Sequence, residues 1–171
     1  DELMIEDKGI YSIEKFIVAR RLMYWQVYYH KTVVAAENML INLLKRAKFL
    51  SESGEKLFST PALELFLHHR FSRDDFAEDT DLVEKFALLD DHDIFSAIKV
   101  WAQHPDFLLS MLSRSWVNRQ LFRAEFSDNP VDETRIDALK NAIQRTWPQA
   151  GPGAEAYLLT TGTITNNAYI P

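Results

Sequence analysis

One stretch of the chain combines cations and tyrosines at helical spacing. Arg20, Tyr24, Tyr28 and Lys31 follow one another at intervals of four, four and three residues, and His30 precedes Lys31. Residues three or four apart lie on the same face of an α-helix. Guanidinium, ammonium and hydroxyl groups together suit the binding of phosphate esters and sugars in a partly dehydrated groove. The spacing therefore predicts a substrate-binding face without a catalytic residue of its own.

The same residues have a second interpretation. Tyrosine side chains often pack with the ring inside and the hydroxyl in water, and surface cations are usually solvated. Under this interpretation the face of Arg20 and Tyr24 is an amphipathic packing surface. The residue types alone leave both interpretations open.

A single long helix is predicted to position these side chains. Ser12 is a suitable N-cap, Glu14 places an acid in the first turn, and no Gly or Pro occurs from there to Ser51. Apolar residues recur at helical intervals through residues 13–47. The pattern indicates one uninterrupted helix over residues 11–50, preceded by a strand and turn over residues 3–12.

Most of the remaining chain also has helical periodicity. Thr60 and Pro61 are a start signal, with Thr as the cap and Pro in the first turn. Asp132 is a second predicted cap, and Pro148 ends its helix. Residues 71–80 are charged and aperiodic, which is typical of a loop. The predicted helices cover residues 60–70, 82–89, 91–103, a segment starting at 104–105, and 132–147.

Two segments have the pattern of strands. Residues 121–126 alternate apolar and polar side chains, and residues 157–164 are rich in Leu, Thr and Tyr. We expect them to pair in a small antiparallel sheet. The predicted fold is therefore mainly α, a portion of a helical bundle with a small C-terminal sheet. No linker or repeat divides residues 1–171, so they are expected to form a single unit.

Composition limits the kinds of function. The chain has 171 residues, no Cys and a net charge of −6, which excludes disulfides and thiolate nucleophiles and argues against broad nucleic-acid binding. No apolar run is long enough to span a membrane. The charge is uneven: residues 14–48 hold seven cations and two acids, whereas residues 72–93 hold nine acids and two cations. The two regions either face each other or meet different surroundings.

A His-Asp pair at His92 and Asp93 imitates a metal-binding motif. His68 and His69 lie upstream, and Asp128 and Asp132 lie downstream. The pair nevertheless falls between two apolar runs, where acids cap free amides and interact favourably with the helix dipole. We expect a helix start with Asp91 as N-cap, and no metal site in this chain.

Four segments, in order, resemble one family. They are YSIEKFIVARRLMYWQVYYHKT at 11–32, LLDDHDIFSAIKVW at 88–101, VNRQLFRAEF at 117–126 and AYLLTTGTITNNAY at 156–169. The first resembles the helix that follows the catalytic core of bacterial HD-domain metal-dependent phosphohydrolases, including the deoxynucleoside triphosphate triphosphohydrolases. The other three resemble later parts of the same proteins.

The resemblance implies a role within a longer protein. The family's metal ligands, a His, a His-Asp pair and a distant Asp, precede the part matched here. The chain is thus expected to be the C-terminal portion of a cytoplasmic, homo-oligomeric enzyme, with residues 1–50 adjoining the catalytic core, followed by a helical region at 60–147 and a strand at 156–171. The longer protein would use a divalent metal to hydrolyse a nucleotide or other phosphate ester. This portion would contribute pocket wall and oligomer contacts, hold no cofactor and be inactive alone.

The resemblance also bears on individual residues. The family's helix supplies an Arg, a Tyr and a His near the phosphates and sugar. His30 and Lys31 match a His-Lys pair, but the family's Arg falls on Gln26. Arg20 or Arg21 would have to act from an earlier turn, about 5 to 10 Å away. The alternative to an enzyme part is a helical interaction or oligomerisation module without chemistry.

Overall fold

The computed structural model describes residues 6–164. Its α-helices are α1 (Ile10–Met23), α2 (Lys31–Glu52), α3 (Pro61–His68), α4 (Arg73–Glu78), α5 (Thr80–Ala87), α6 (Asp91–Trp101), α7 (Phe107–Val117), α8 (Glu133–Thr146) and α9 (Glu155–Leu158). Two 3-10 helices lie at Asp7–Gly9 and Pro148–Ala150, and a π-helical turn, the π segment, spans Tyr24–Tyr28.

The core is formed around α2. Met39, Leu43 and Ala47 recur every four residues on one side of α2 and are almost completely buried, as expected for the apolar stripe of an amphipathic helix. They pack with buried residues of α3, α6 and α7. Trp101 of α6 is buried in this cluster, and its indole Nε1 donates a hydrogen bond of 2.9 Å to the backbone oxygen of Phe58.

A smaller cluster joins α8 and α9 to the same body. Leu108 of α7 packs with Ile143 of α8 and with Ala154. Asn42 of α2 is buried, and its amide nitrogen donates to the backbone oxygen of Tyr157 at 3.1 Å and to the Thr160 hydroxyl at 2.9 Å. These bonds satisfy a polar group inside the core and attach the C-terminal segment to α2.

Helix α1 lies outside this core. No residue of α1 or of the π segment is buried, and many of their large apolar side chains are exposed. The substantial contacts of α1 are with the adjoining 3-10 helix and the π segment. The exposed apolar side chains are Ile10, Tyr11, Phe16, Ile17, Val18, Leu22, Met23, Trp25, Val27 and Tyr28.

The predicted single helix over residues 11–50 is wrong, because the helix is interrupted at residues 29–30. The Tyr29 amide donates to the Tyr24 oxygen at 2.8 Å, which is the wider π-helical bond. His30 then adopts an extended backbone, with φ −63° and ψ 136°, and α2 starts after it. The predicted start is also wrong: Asp7–Gly9 is helical, α1 begins at Ile10, and Ser12 lies inside it. Residues 1–5 lie outside the described part.

The predicted C-terminal antiparallel sheet is also wrong, since residues 6–164 contain no strand. Residues 121–126 have no regular secondary structure. Leu121 and Phe122 pack against the core, and neither forms a backbone hydrogen bond within residues 6–164. Tyr157 and Leu158 belong to the short helix α9. Residues 165–171 of the proposed strand region lie outside the described residues.

Local capping signals explain most of the helix starts. Thr60 and Asp132 cap α3 and α8, which confirms both predictions. The helix start at His92 and Asp93 is confirmed, but the N-cap is Asp90 and not Asp91. The predicted loop over residues 71–80 is wrong, because Ser72 and Asp75 form a capping box that starts α4.

Across residues 6–164, none of the helices combines the length and apolar composition that crossing a bilayer requires.

Candidate functional site

Arg20, Tyr24 and Tyr28 form a continuous row along α1 and the π segment. A terminal nitrogen of Arg20 donates to the Tyr24 hydroxyl at 3.4 Å, and the guanidinium carbon lies 5.4 Å from the centre of that ring. The Tyr24 and Tyr28 ring centres are 5.0 Å apart. Arg20 and Tyr28 are exposed and Tyr24 is half-buried. The row therefore presents a cation, two hydroxyls and two ring faces side by side.

The π segment adds aromatic rings near the row. Tyr29 lies 5.9 Å from Tyr24 and 5.8 Å from Trp25, measured between ring centres. Aromatic pairs at such distances and tilted angles attract one another. The rings thus hold the turn between α1 and α2 in shape, although the turn has little contact with the core.

His30 has a structural role that sequence reasoning missed. Its ring nitrogen Nδ1 accepts a hydrogen bond of 3.2 Å from the Thr32 amide, so His30 is the N-cap of α2. A neutral histidine that accepts at Nδ1 carries its proton at Nε2. The exposed side chain can therefore still offer one donor to a ligand. Sequence reasoning missed this N-cap because the usual N-cap residues are Ser, Thr, Asp and Asn, and histidine is not among them.

Lys31 is the first residue of α2 and is exposed. Its ammonium nitrogen lies 5.6 Å from the centre of the Phe126 ring, a cation–π distance. Within residues 6–164, no side-chain hydrogen bond, ion pair or ring contact joins His30 or Lys31 to the row of Arg20, Tyr24 and Tyr28. The structure thus brings three of the five predicted residues into direct contact and places the other two just beyond the break.

Three cations lie in this region: Arg20, Arg21 and Lys31. In the described part of the chain, Arg20, Arg21 and Lys31 form no ion pair. Uncompensated positive charges on an exposed helix attract anionic ligands. Gln26 is exposed on the π segment.

A metal ion does not fit the side chains that the structure describes. Among residues 6–164, no group of three or more His, Asp or Glu side chains is arranged to hold one. The His92 side chain is exposed, and Asp93 accepts a hydrogen bond from the Asp90 amide as part of a capping box. His68 lies with Nδ1 3.0 Å from the Ser51 hydroxyl.

A cleft between α8 and α9 was not predicted from the sequence. It has a volume of about 560 Å³, and none of the five predicted residues lines it. Its polar lining comes mainly from Glu133, Asp137, Lys140 and Glu155. These residues sit on two separate helices, and no sequence motif connects them.

Comparisons with known proteins agree with the helical fold. Residues 1–60 match the family model described as the HD associated region. Over 130 residues the chain is 34% identical to the uncharacterised protein YwfO of Bacillus subtilis (strain 168), a match that covers 75% of this chain and 28% of YwfO. A crystal structure of a phosphohydrolase from Bacteroides thetaiotaomicron VPI-5482 matches 98% of this chain and 42% of its own, with 46% identity and a TM-score of 0.89.

The chain spans less than half the length of either protein. At the level of sequence and fold, it is similar to a part of an HD-domain phosphohydrolase.

Proposed function

We propose that this chain is part of an HD-type phosphohydrolase and forms a wall of its substrate pocket. The observation that carries the proposal is the contiguous row of Arg20, Tyr24 and Tyr28, in a chain similar over 98% of its length to a protein named a phosphohydrolase. The substrate would be a nucleotide or another phosphate ester. The deoxynucleoside triphosphate triphosphohydrolases are the subgroup that the sequence resembles.

Each residue of the row has a specific part in substrate binding. The Arg20 guanidinium would donate paired hydrogen bonds to phosphate oxygens, for which its planar fork is well suited. The ring faces of Tyr24 and Tyr28 would contact the sugar or base, with their hydroxyls as donors. His30 would offer Nε2–H, and Lys31 would add a point charge. We derive no step through a metal ion, which in this proposal is a divalent ion held by residues of the longer protein.

Gln26 bears on the number of phosphates that are recognised. An amide cannot replace the charge and the paired donors of an arginine. Unless Arg20 supplies both, we expect weaker recognition of a triphosphate than of an ester with fewer charges. Comparing turnover of nucleoside mono-, di- and triphosphates by the longer protein measures this preference.

We expect substitution of the pocket residues in the longer protein to lower phosphohydrolase activity. Lys31→Ala should reduce kcat/KM at least about tenfold, roughly 1.4 kcal/mol of transition-state stabilisation, because a cation near the phosphate is lost. His30→Ala should have a similar effect, but it also removes the cap of α2. His30→Asn is therefore the sharper variant, because Asn can cap the helix while the imidazole is absent.

The matched control is Lys45→Ala. Lys45 is an exposed cation of α2, outside the row and without an ion pair in the described structure, so its loss should leave turnover unchanged. Thermal midpoints of all variants separate binding from folding. Full activity of Lys31→Ala and His30→Asn would mean that this region is scaffold and that the pocket assignment is wrong.

A second candidate function is supported by the exposed apolar side chains of α1 and the π segment. A helix that is apolar on most sides is normally buried in an assembly. The chain would then act as a helical interaction module without a substrate. In that case the pocket variants would change association and leave turnover unaffected.

A further inference from the structure

The course of α7 and of the segment after it brings Phe126 beside Lys31. Asp106, the N-cap of α7, pairs with Arg46, which lies about 22 Å from Lys31 along the axis of α2. Helix α7 packs against α2 and runs back with residues 118–126 towards the start of α2. There the centre of the Phe126 ring lies 5.6 Å from the Lys31 ammonium nitrogen. A segment distant in sequence thus meets one of the predicted pocket residues.

Residues 121–126 have no regular secondary structure, but they are attached to the body of the protein at both ends. Leu121 and Phe122 pack against the core around α2. The Glu125 carboxylate accepts a hydrogen bond from the guanidinium of Arg135 on α8 and forms an ion pair with it. These attachments limit the motion of the last residue of the segment, although the segment forms no strand.

The Phe126 ring is a favourable neighbour for the Lys31 ammonium group. Lys31 is the first residue of α2, and the positive end of the helix dipole there disfavours a cation. Among residues 6–164, Lys31 has no ion pair that would offset this. The negative face of an aromatic ring attracts an ammonium group and thereby restricts the positions of the side chain. A lysine that is already restricted loses less conformational entropy when it binds an anion.

We propose that Phe126 is a positioning residue of the substrate pocket, whose ring holds the Lys31 ammonium group where it binds a phosphate of the substrate. The inference rests on the proposed function, in which Lys31 contacts a phosphate ester. Phe126 itself touches neither the substrate nor the reacting atoms. Its effect on turnover therefore passes through Lys31, whereas a ring that only stabilises the fold would act equally when Lys31 is absent.

The test is a double-mutant cycle in the longer protein, with Phe126→Leu, Lys31→Ala and the two changes combined. Leu keeps an apolar side chain but has no ring face. Phe126→Leu should lower kcat/KM about two- to fivefold, the size expected for a cation–π contact at an exposed site. The loss should be divided between kcat and KM as it is for Lys31→Ala. In the Lys31→Ala background, Phe126→Leu should have no further effect.

Two further variants make the cycle specific for the ring and for its place. Phe126→Tyr keeps the ring face and should retain most of the turnover. The matched control is Phe49→Leu, because Phe49 is 50% exposed and its ring centre lies 5.1 Å from the guanidinium carbon of Arg46. The same substitution then removes a similar contact on the same helix, far from Lys31, and should leave turnover unchanged. Thermal midpoints show that each variant is folded.

The outcomes distinguish this inference from the proposed function. Unchanged turnover of Phe126→Leu, together with a loss for Lys31→Ala, overturns the positioning role and leaves the proposed function in place. An equal loss from Phe126→Leu with and without Lys31 means that the ring supports the fold in general, which also overturns the inference. Full activity of Lys31→Ala overturns the assignment of Lys31 in the proposed function and the inference with it.

Discussion

Arg46 and Asp106 illustrate how a single pair of residues joins three helices. Two nitrogens of the Arg46 guanidinium donate to the Asp106 carboxylate, at 3.1 and 2.5 Å. The side chains are only 16% and 17% exposed. The guanidinium also lies 5.4 Å from the centre of the Tyr157 ring, and Asp106 caps α7 by accepting from the Leu109 amide. The pair thus connects α2, α7 and α9.

This pair predicts a pH dependence of stability. Burial raises the pKa of Asp106, but hydrogen bonds from Arg46 and from the Leu109 amide lower that pKa further, so it lies below its usual value. A carboxyl group with a lowered pKa stabilises the fold above its unfolded pKa of about 3.9, and this stabilisation is lost as the pH falls through the folded value. Asp106→Asn should cost about 1 to 3 kcal/mol at neutral pH, because Arg46 then lacks its charged partner.

Urea unfolding of the wild type and of Asp106→Asn at pH 7 and pH 3 tests this expectation. The stability difference should shrink at pH 3, because that pH lies below the unfolded pKa of about 3.9 and protonation of the unfolded chain removes part of this stabilisation. An unchanged difference at both pH values would mean that the ion pair does not titrate with unfolding. Asp137→Asn, at an exposed acid of α8 paired with Lys140 on the surface, is the control and should have little effect.

Two adjacent acids at the start of α6, Asp90 and Asp91, should contribute differently to stability, because the N-cap is Asp90. The Asp90 carboxylate accepts from the amides of His92 and Asp93, at 2.7 and 3.2 Å. Asp90→Ala should therefore lower the thermal midpoint, by roughly 2 to 4 °C for a chain of this size. Asp91→Ala, one residue later, should have a clearly smaller effect. A larger loss for Asp91→Ala would place the helix start where the sequence first suggested it.

At the scale of elements, starts determined by local chemistry could be predicted from the sequence. The side chains of Thr60 and Asp132 accept hydrogen bonds from free amides of the turn that follows each of them, and Pro61 has no free amide. Residues close together in the sequence are therefore enough to predict these two helix starts. The absence of strands from residues 6–164 could not be predicted in this way. Alternation at residues 121–126 describes which side chains are half-buried, but a strand also needs a partner, and packing against α-helices provides none here.

The candidate site was predictable in part for the same reason. The spacing of Arg20, Tyr24 and Tyr28 is a property of one helix, and the three side chains do meet. The break at His30 depends on a histidine acting as a cap and on a π-helical bond, neither of which has a reliable sequence signal. Helical periodicity therefore does not predict where His30 and Lys31 lie relative to Arg20, Tyr24 and Tyr28.

At the scale of the whole molecule, the core is complete without the N-terminal helix. Its buried residues begin at Ala35, and none lies in α1 or the π segment. We predict that a chain starting at His30 keeps the cap of α2 and unfolds at the same temperature as the 171-residue chain, at low concentrations where association adds no stability. Calorimetry measures this directly.

The same truncation should reduce binding of an apolar dye, because it removes all ten large exposed side chains of α1 and the π segment. A strong drop in the unfolding temperature would show that α1 stabilises the body through contacts formed in solution. Unchanged dye binding would place the main apolar surface elsewhere, with Leu88 and Phe86 as the first residues to substitute.

The π segment also makes the chain sensitive to insertions and deletions. A π-helical turn holds one more residue than an α-helical turn, and here it lies between the row of Arg20 and the body. Deleting one residue, for example Gln26, would convert the turn to α-helix and rotate everything before it by about 100°. A one-residue length change is thus enough to redirect the N-terminal helix during evolution, and alignments of relatives through residues 24–28 need to allow for that gap.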